Sequence, residues 1–156
     1  RDMVDHYGLT ADSKVLDVGC AKGFMLYEFM KAVPGIKVRG IDVSYWATSH
    51  AHAEVRYDLS VANAKDLSQF SDNEFDLVVS INTVHNLDRA ECGMALQELE
   101  RVGKNAFMTV DAWNTNEEEQ RMRDWNLTAL TMMSVSDWKE FFKEVGYNGD
   151  YFWFIP

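Results

Sequence analysis

The chain has 156 residues, 47% of them hydrophobic, which is enough for one domain with a buried core and excludes a disordered segment. Its 25 acidic residues against 15 basic ones give a formal net charge of −10, so the broad basic footprint of a nucleic-acid-binding protein is missing. There is no apolar run of membrane-spanning length and no signal-peptide pattern, and Cys20 and Cys92 have neither metal-ligand spacing nor a disulfide framework.

Residues 3–9 read as the tail of a helix. Lys14 to Val18 is a compact apolar strand, broken by Gly19 to Gly23. Phe24 to Ala32 is a helix with Leu26, Phe29 and Met30 on one side, ended by Pro34-Gly35. Val38 to Ile41 is a second strand with Asp42 at its tip. Tyr45 to Glu54 suits a short helix and Tyr57 to Ala62 a third strand. After a turn at Asp72 to Glu74, Phe75 to Ser80 is a fourth strand, apolar enough to be covered on both faces. Residues 88–102 form a helix with a stripe of Ala95, Leu96, Leu99 and Val102. Ala106 to Val110 is the fifth strand, and residues 114–126 are a loop and a surface helix. Ser136 is expected to cap a helix that buries Trp138, Phe141, Phe142 and Val145 and stops at Gly146. The run Tyr151 to Pro156 is a sixth strand that should be buried.

Strand and helix alternate, as parallel strands with crossover helices require. The expected fold is a single three-layer α/β domain, Rossmann-like, with a mostly parallel sheet. The start at Arg1 and the uncovered aromatic run at the other end predict a chain truncated at one or both ends.

The small residues of Gly19-Cys20-Ala21-Lys22-Gly23 let backbone approach a ligand at the C-terminal edge of a sheet, where a helix begins. The dinucleotide fingerprint G-x-G-x-x-G, started at Gly19, meets Ala21 and Phe24 where it needs glycine, and the Walker A pattern is absent. An NAD-dependent oxidoreductase is thereby weakened, although Asp42 would suit either nucleoside.

Val15-Leu16-Asp17-Val18-Gly19-Cys20-Ala21-Lys22-Gly23 resembles the first motif of class I S-adenosylmethionine-dependent methyltransferases, with Ala21 in place of the middle glycine. Gly40 to Ser44, Asn63 to Leu67, Phe75 to Leu87 and the Trp138-to-Tyr147 segment follow the same family pattern in order. The resemblance implies S-adenosyl-L-methionine as cofactor and S-adenosyl-L-homocysteine as product. It places Asp17, Gly19, Cys20, Ala21, Gly23, Asp42, Val43, Asn63, Ala64 and Asn82 around the cofactor. Asp17 would reach its amino group and Asp42 its ribose hydroxyls. Asn63 would accept from the adenine amino group in place of the family's carboxylate, with Asp66 the second candidate, and the Ala64 N–H would meet the ring. The family's seventh strand, antiparallel between the fifth and sixth, has no residues here to form it.

The cofactor brings the activated methyl group, so the protein needs to align a nucleophile, exclude water and, where required, take a proton. His85, just after the fourth strand, is the candidate for that proton. Tyr7, Asp111 and Trp113 are candidate substrate-pocket residues, Asp111 for a hydroxyl or amine and Trp113 for an apolar ring. His6, His50 and His52 read as surface residues. No metal is expected. The leading expectation is methyl transfer to an O, N or C atom of a small molecule, in the cytoplasm. The alternatives are a protein methyltransferase whose acidic surface docks a basic partner, or a non-catalytic binding module that keeps the fold. A homodimer or partner subunit is expected over the C-terminal strand, with neither nucleic acid nor membrane as partner.

Overall fold

The computed structural model describes residues 2–155. Helix α1 (Asp2–Tyr7) leads into β1 (Lys14–Val18), α2 (Phe24–Ala32) and β2 (Lys37–Asp42). Then come α3 (Tyr45–Ser49), β3 (Leu59–Val61), β4 (Leu77–Ile81), α4 (Arg89–Val102) and β5 (Ala106–Trp113). The chain closes with α5 (Asn116–Trp125), β6 (Met133–Ser134), α6 (Val135–Val145) and β7 (Asp150–Phe154). The strands lie in the order β3-β2-β1-β4-β5, and both β6 and β7 add to β5.

Strand residues alternate between two apolar layers, which is why one sheet can be covered on both faces. Leu16, Val78, Met108 and Val110 pack with Leu96 and Leu99 of α4 and Trp138, Phe141 and Phe142 of α6. Val15, Val38, Leu77 and Val79 pack with Leu26 and Phe29 of α2, and Met3 and Val4 of α1 lie against them. The expected three layers are therefore formed.

Local chemistry sets the helix ends. Asp88 accepts from the Glu91 N–H to start α4. Thr115 and Glu118 form a reciprocal capping box at α5, which the sequence reading had not singled out. Ser134 caps α6 by accepting from the Asp137 N–H; the expected cap, Ser136, lies inside the helix with its hydroxyl 2.8 Å from that of Ser134. Gly146 ends α6 at φ 78°, a left-handed conformation that favours glycine.

Other expectations shift. The helix expected from Tyr45 to Glu54 stops at Ser49, and the third strand is confined to three residues. Seven strands form rather than six, because the two residues of β6 pair with Ala112 and Trp113. The final strand runs parallel to β5, from Phe107↔Asp150 to Asp111↔Phe154. Among the described residues no antiparallel pairing occurs, so the strand that the resemblance implies between the fifth and sixth has no counterpart. Nor is the aromatic run buried: Trp153 packs against the core, whereas Phe152 remains 62% exposed. Alternation explains this, since one face of β7 meets Phe142 of α6, whereas on the other Phe154 meets the Trp125 ring and Phe152 stays exposed.

Candidate active site

All strands of the sheet end on one side, and β1, β2 and β4 deliver their following loops to a common edge. The Gly19 and Cys20 N–H groups both donate to the Ile41 carbonyl, at 2.8 and 2.9 Å, which folds the glycine loop against β2. Gly19 (φ 86°), Ala21 (φ 48°) and Gly23 (φ 77°) all turn through left-handed backbone. A Cβ on Gly19 would stand 2.0 Å from the Thr83 hydroxyl oxygen, so glycine is what lets the loops after β1 and β4 meet. The Asp42 carboxylate holds the tip, accepting from the Ala21 N–H and the Ser44 N–H at 2.8 Å each. Lys22 lays its ammonium over Trp46, and its carbonyl accepts from the His52 N–H. His52 itself stacks on Tyr27, so it is more engaged than a free surface residue.

Asp17 sits beneath this loop at 3% exposure, and its carboxyl meets no hydrogen-bond donor among the described residues. Burial, and then the nearby Asp42 charge, push it up to about 7. A buried acid in this condition gains strongly from a cationic ligand group. Cys20 is buried in the same loop; burial pushes its thiol up to about 12, which marks a packing side chain. Val43, directly after Asp42, is 65% exposed at the strand edge. The Ala62 N–H donates to the Asp42 carbonyl, which brings the next loop alongside. There Asn63 Oδ1 accepts from the Lys65 N–H at 3.1 Å and keeps a lone pair for another donor, while Ala64 is buried. Asp66 caps Ser68 in solvent instead.

The loop after β4 builds the other half. Asn82 (φ 51°) is locked to β5: its N–H donates to Thr109, and the Thr109 hydroxyl donates back to Asn82 Oδ1 at 2.8 Å. His85 and Asp111 are each 3% exposed, and His85 Nε2 lies 3.4 Å from Asp111 Oδ2. The Asn126 side chain donates to the same Asp111 oxygen. His85 Nδ1 and Asp111 Oδ1 are buried without a hydrogen-bond partner among the described residues. Burial draws the imidazole below its ordinary value and the carboxyl above its own, and their mutual attraction opposes both shifts.

Neighbouring segments hold this pair rigidly. The Trp138 indole N–H donates to the Asp111 carbonyl at 3.0 Å. The Leu130 and Thr131 N–H groups donate to the His85 carbonyl, and the Thr131 hydroxyl to that of Leu87. A cavity of about 380 Å³ is lined by Asn82, His85, Asp111, Trp125, Asn126, Leu127 and Thr128.

Two expected pocket residues lie elsewhere. The Tyr7 hydroxyl donates to Asp150 at 2.7 Å, at the start of β7 and so at the opposite end of the sheet. His6 reaches the same carboxylate. Trp113 is buried at the end of β5 beside the Arg123 guanidinium and does not line the cavity. Trp125 and Asn126 line it instead. No spacing rule links residue 126 to residue 111; only the path of the loop after α5 does.

The described residues contain no group of three or more His, Cys, Asp or Glu side chains placed to hold a metal ion. No helix among them is long and apolar enough to cross a membrane. No curated protein matches the chain. Among solved structures, the YcgJ protein of Bacillus subtilis superposes with a TM-score of 0.72 at 19% identity, over 92% of this chain and 65% of that one. The Haloferax volcanii partner of the Trm112 methyltransferase activator, in their complex, gives 0.69 at 25% identity, over 86% of this chain and 61% of that one. A geranyl diphosphate methyltransferase in complex with S-adenosylmethionine gives 0.71 at 15% identity, over 92% and 61%. The chain thus spans less than two thirds of each of these neighbours. The model of the methyltransferase domain family matches residues 15–106, which carry the glycine loop, Asp42 and the loop after β4. With more than half of its length matched, the chain belongs to the methyltransferase domain family.

Proposed function

We propose that this domain binds S-adenosylmethionine and directs its methyl group to a nucleophilic atom of a small molecule held beside His85 and Asp111. The observation that carries the reading is Asp17: a buried carboxyl with no hydrogen-bond donor among the described residues, next to the loop that Asp42 pins. Such a carboxyl fits the cofactor's ammonium group. Asp42 fits its ribose hydroxyls, since each carboxylate oxygen accepts one backbone N–H and keeps a free lone pair. Val43, Asn63 and Ala64 lie at the same edge for the adenine. Bound there, the cofactor supplies a methyl group already activated by positive sulfur.

The remaining work belongs to the chain. Burial favours the neutral imidazole of His85, the form able to take a proton from a hydroxyl or amine. Asp111 fixes the ring and stabilises the imidazolium that results. Asn126 and Trp138 hold Asp111, and Asn82, locked to Thr109, lines the same cavity. A cytoplasmic setting accompanies this reading and is supported by two buried free thiols. A second copy or a partner subunit across β7 is supported by that strand's exposed aromatic face.

Calorimetric titration of S-adenosylmethionine and S-adenosylhomocysteine, with NAD as control, tests the proposal. Both sulfur compounds are expected to bind, NAD is not, and Asp42→Ala or Gly19→Val abolishes binding. A folded chain that binds neither compound refutes the reading and leaves the fold as a binding module.

A further inference from the structure

The cavity over His85 and Asp111 is asymmetric in chemistry. Two of the residues that line it, His85 and Asp111, carry buried polar atoms with no hydrogen-bond partner among the described residues, Nδ1 and Oδ1. Leaving such groups unpaired is costly, and a ligand hydroxyl that donates to one of them would relieve it. Its mouth is apolar. Trp125 is 54% exposed and Leu127 94% exposed, and Phe154 extends the surface with its ring 5.0 Å from that of Trp125. Apart from His85 and Asp111, the lining residues carry no charge: they are Asn82, Trp125, Asn126, Leu127 and Thr128. The nearby Arg123 is committed to Glu119 and Trp113. A ligand carboxylate or phosphate would therefore find no cation in the cavity and would face Asp111.

We infer that the acceptor is a neutral amphiphile, an apolar body of modest size bearing a hydroxyl group. Its body rests on Trp125 and Leu127 while its hydroxyl reaches the His85–Asp111 pair. The inference deepens the methyl-transfer reading and rests on it for the reaction, but not for the binding. In that reaction the hydroxyl oxygen forms the new bond to the methyl carbon. The carbon–sulfur bond breaks with its electron pair passing to sulfur, and the hydroxyl proton goes to the imidazole. The cavity volume sits at the small end of the range for small-molecule sites, which restricts the body to about the size of one or two rings. Asn126 becomes a positioning residue: by donating to one Asp111 oxygen it leaves the other for the acceptor.

The test uses three probes of one shape, 2-naphthol, naphthalene and 2-naphthoate, titrated calorimetrically into the whole chain with and without S-adenosylhomocysteine. We expect 2-naphthol to bind at least tenfold more tightly than the other two. Leu127→Ser and Trp125→Ala are each expected to weaken it about tenfold without changing affinity for S-adenosylhomocysteine. Asn126→Ala is expected to weaken 2-naphthol but not naphthalene, a selectivity that a general loss of folding would not produce. Equal or tighter binding of 2-naphthoate overturns the inference, as does 2-naphthol affinity indifferent to both rim variants. Failure of S-adenosylhomocysteine to bind while 2-naphthol binds selectively refutes the cofactor reading and leaves the acceptor site standing. The converse result, cofactor product bound and no naphthyl compound bound, refutes the inference alone.

Discussion

Asp17 and Ala21 show what single residues contribute and conceal. The Asp17 carboxyl, pushed up to about 7, is held protonated by the folded chain over a range where the unfolded chain ionises it. The stability gained from this is complete below the ordinary carboxylate range and is lost as pH rises through about 7. The full loss is on the order of 4 kcal/mol. Urea denaturation at pH 5 and pH 8 should therefore show the wild-type chain losing more stability than Asp17→Asn, while Asp17→Asn fails to bind S-adenosylmethionine. An equal loss in both chains would contradict this assignment. Ala21 holds φ 48°, a conformation that costs a residue with a Cβ about 1 kcal/mol. Ala21→Gly is expected to raise the denaturation free energy by about 1 kcal/mol and leave cofactor affinity nearly unchanged. The glycine loop and both acids were legible in the sequence because their spacing is local. Asn126 was not, because its meaning depends on a contact with Asp111 made across the fold, and Tyr7 was misplaced because nothing local says at which end of the sheet a preceding helix docks.

Elements with sustained periodicity were legible from sequence in the same way. Helix α4 begins and ends as its stripe and its Asp88 cap dictate. Short elements were less so. Strand β6 consists of two residues and exists because β5 runs on to Trp113, past the end of β7. Strand β7 is the informative case. Its sequence is aromatic from Tyr151 to Phe154, yet only Trp153 is partly buried, and its outer backbone edge pairs with no strand among the described residues. Self-association across this edge predicts a concentration-dependent dimer in sedimentation-velocity runs. Phe152→Lys should shift it to monomer without altering the melting temperature by more than a few degrees. A wild-type chain that stays monomeric at every concentration removes self-association and leaves a different partner for that face.

At the scale of the molecule, topology explains why the residues meet. Ordering the strands 3-2-1-4-5 sends the loops after β1, β2 and β4 to one edge, so residues as distant in sequence as Asp17, Asp42, His85 and Asp111 lie toward the same end of the sheet. That alternation of strand and helix was readable, and with it the fold. The acceptor side was not, since its walls come from the loop after α5, where sequence carries little pattern. The same parallel pairing has a kinetic side. None of the six strand ladders is a hairpin, so no strand pair can zip up from a tight turn. Each ladder must wait for a crossover to close, and the β5–β7 ladder joins segments about forty residues apart. The chain therefore collapses before its sheet is complete, and the central β1–β4 pairing, which joins Val15 to Leu77, closes a longer loop still and sets the pace at which the two halves of the sheet unite.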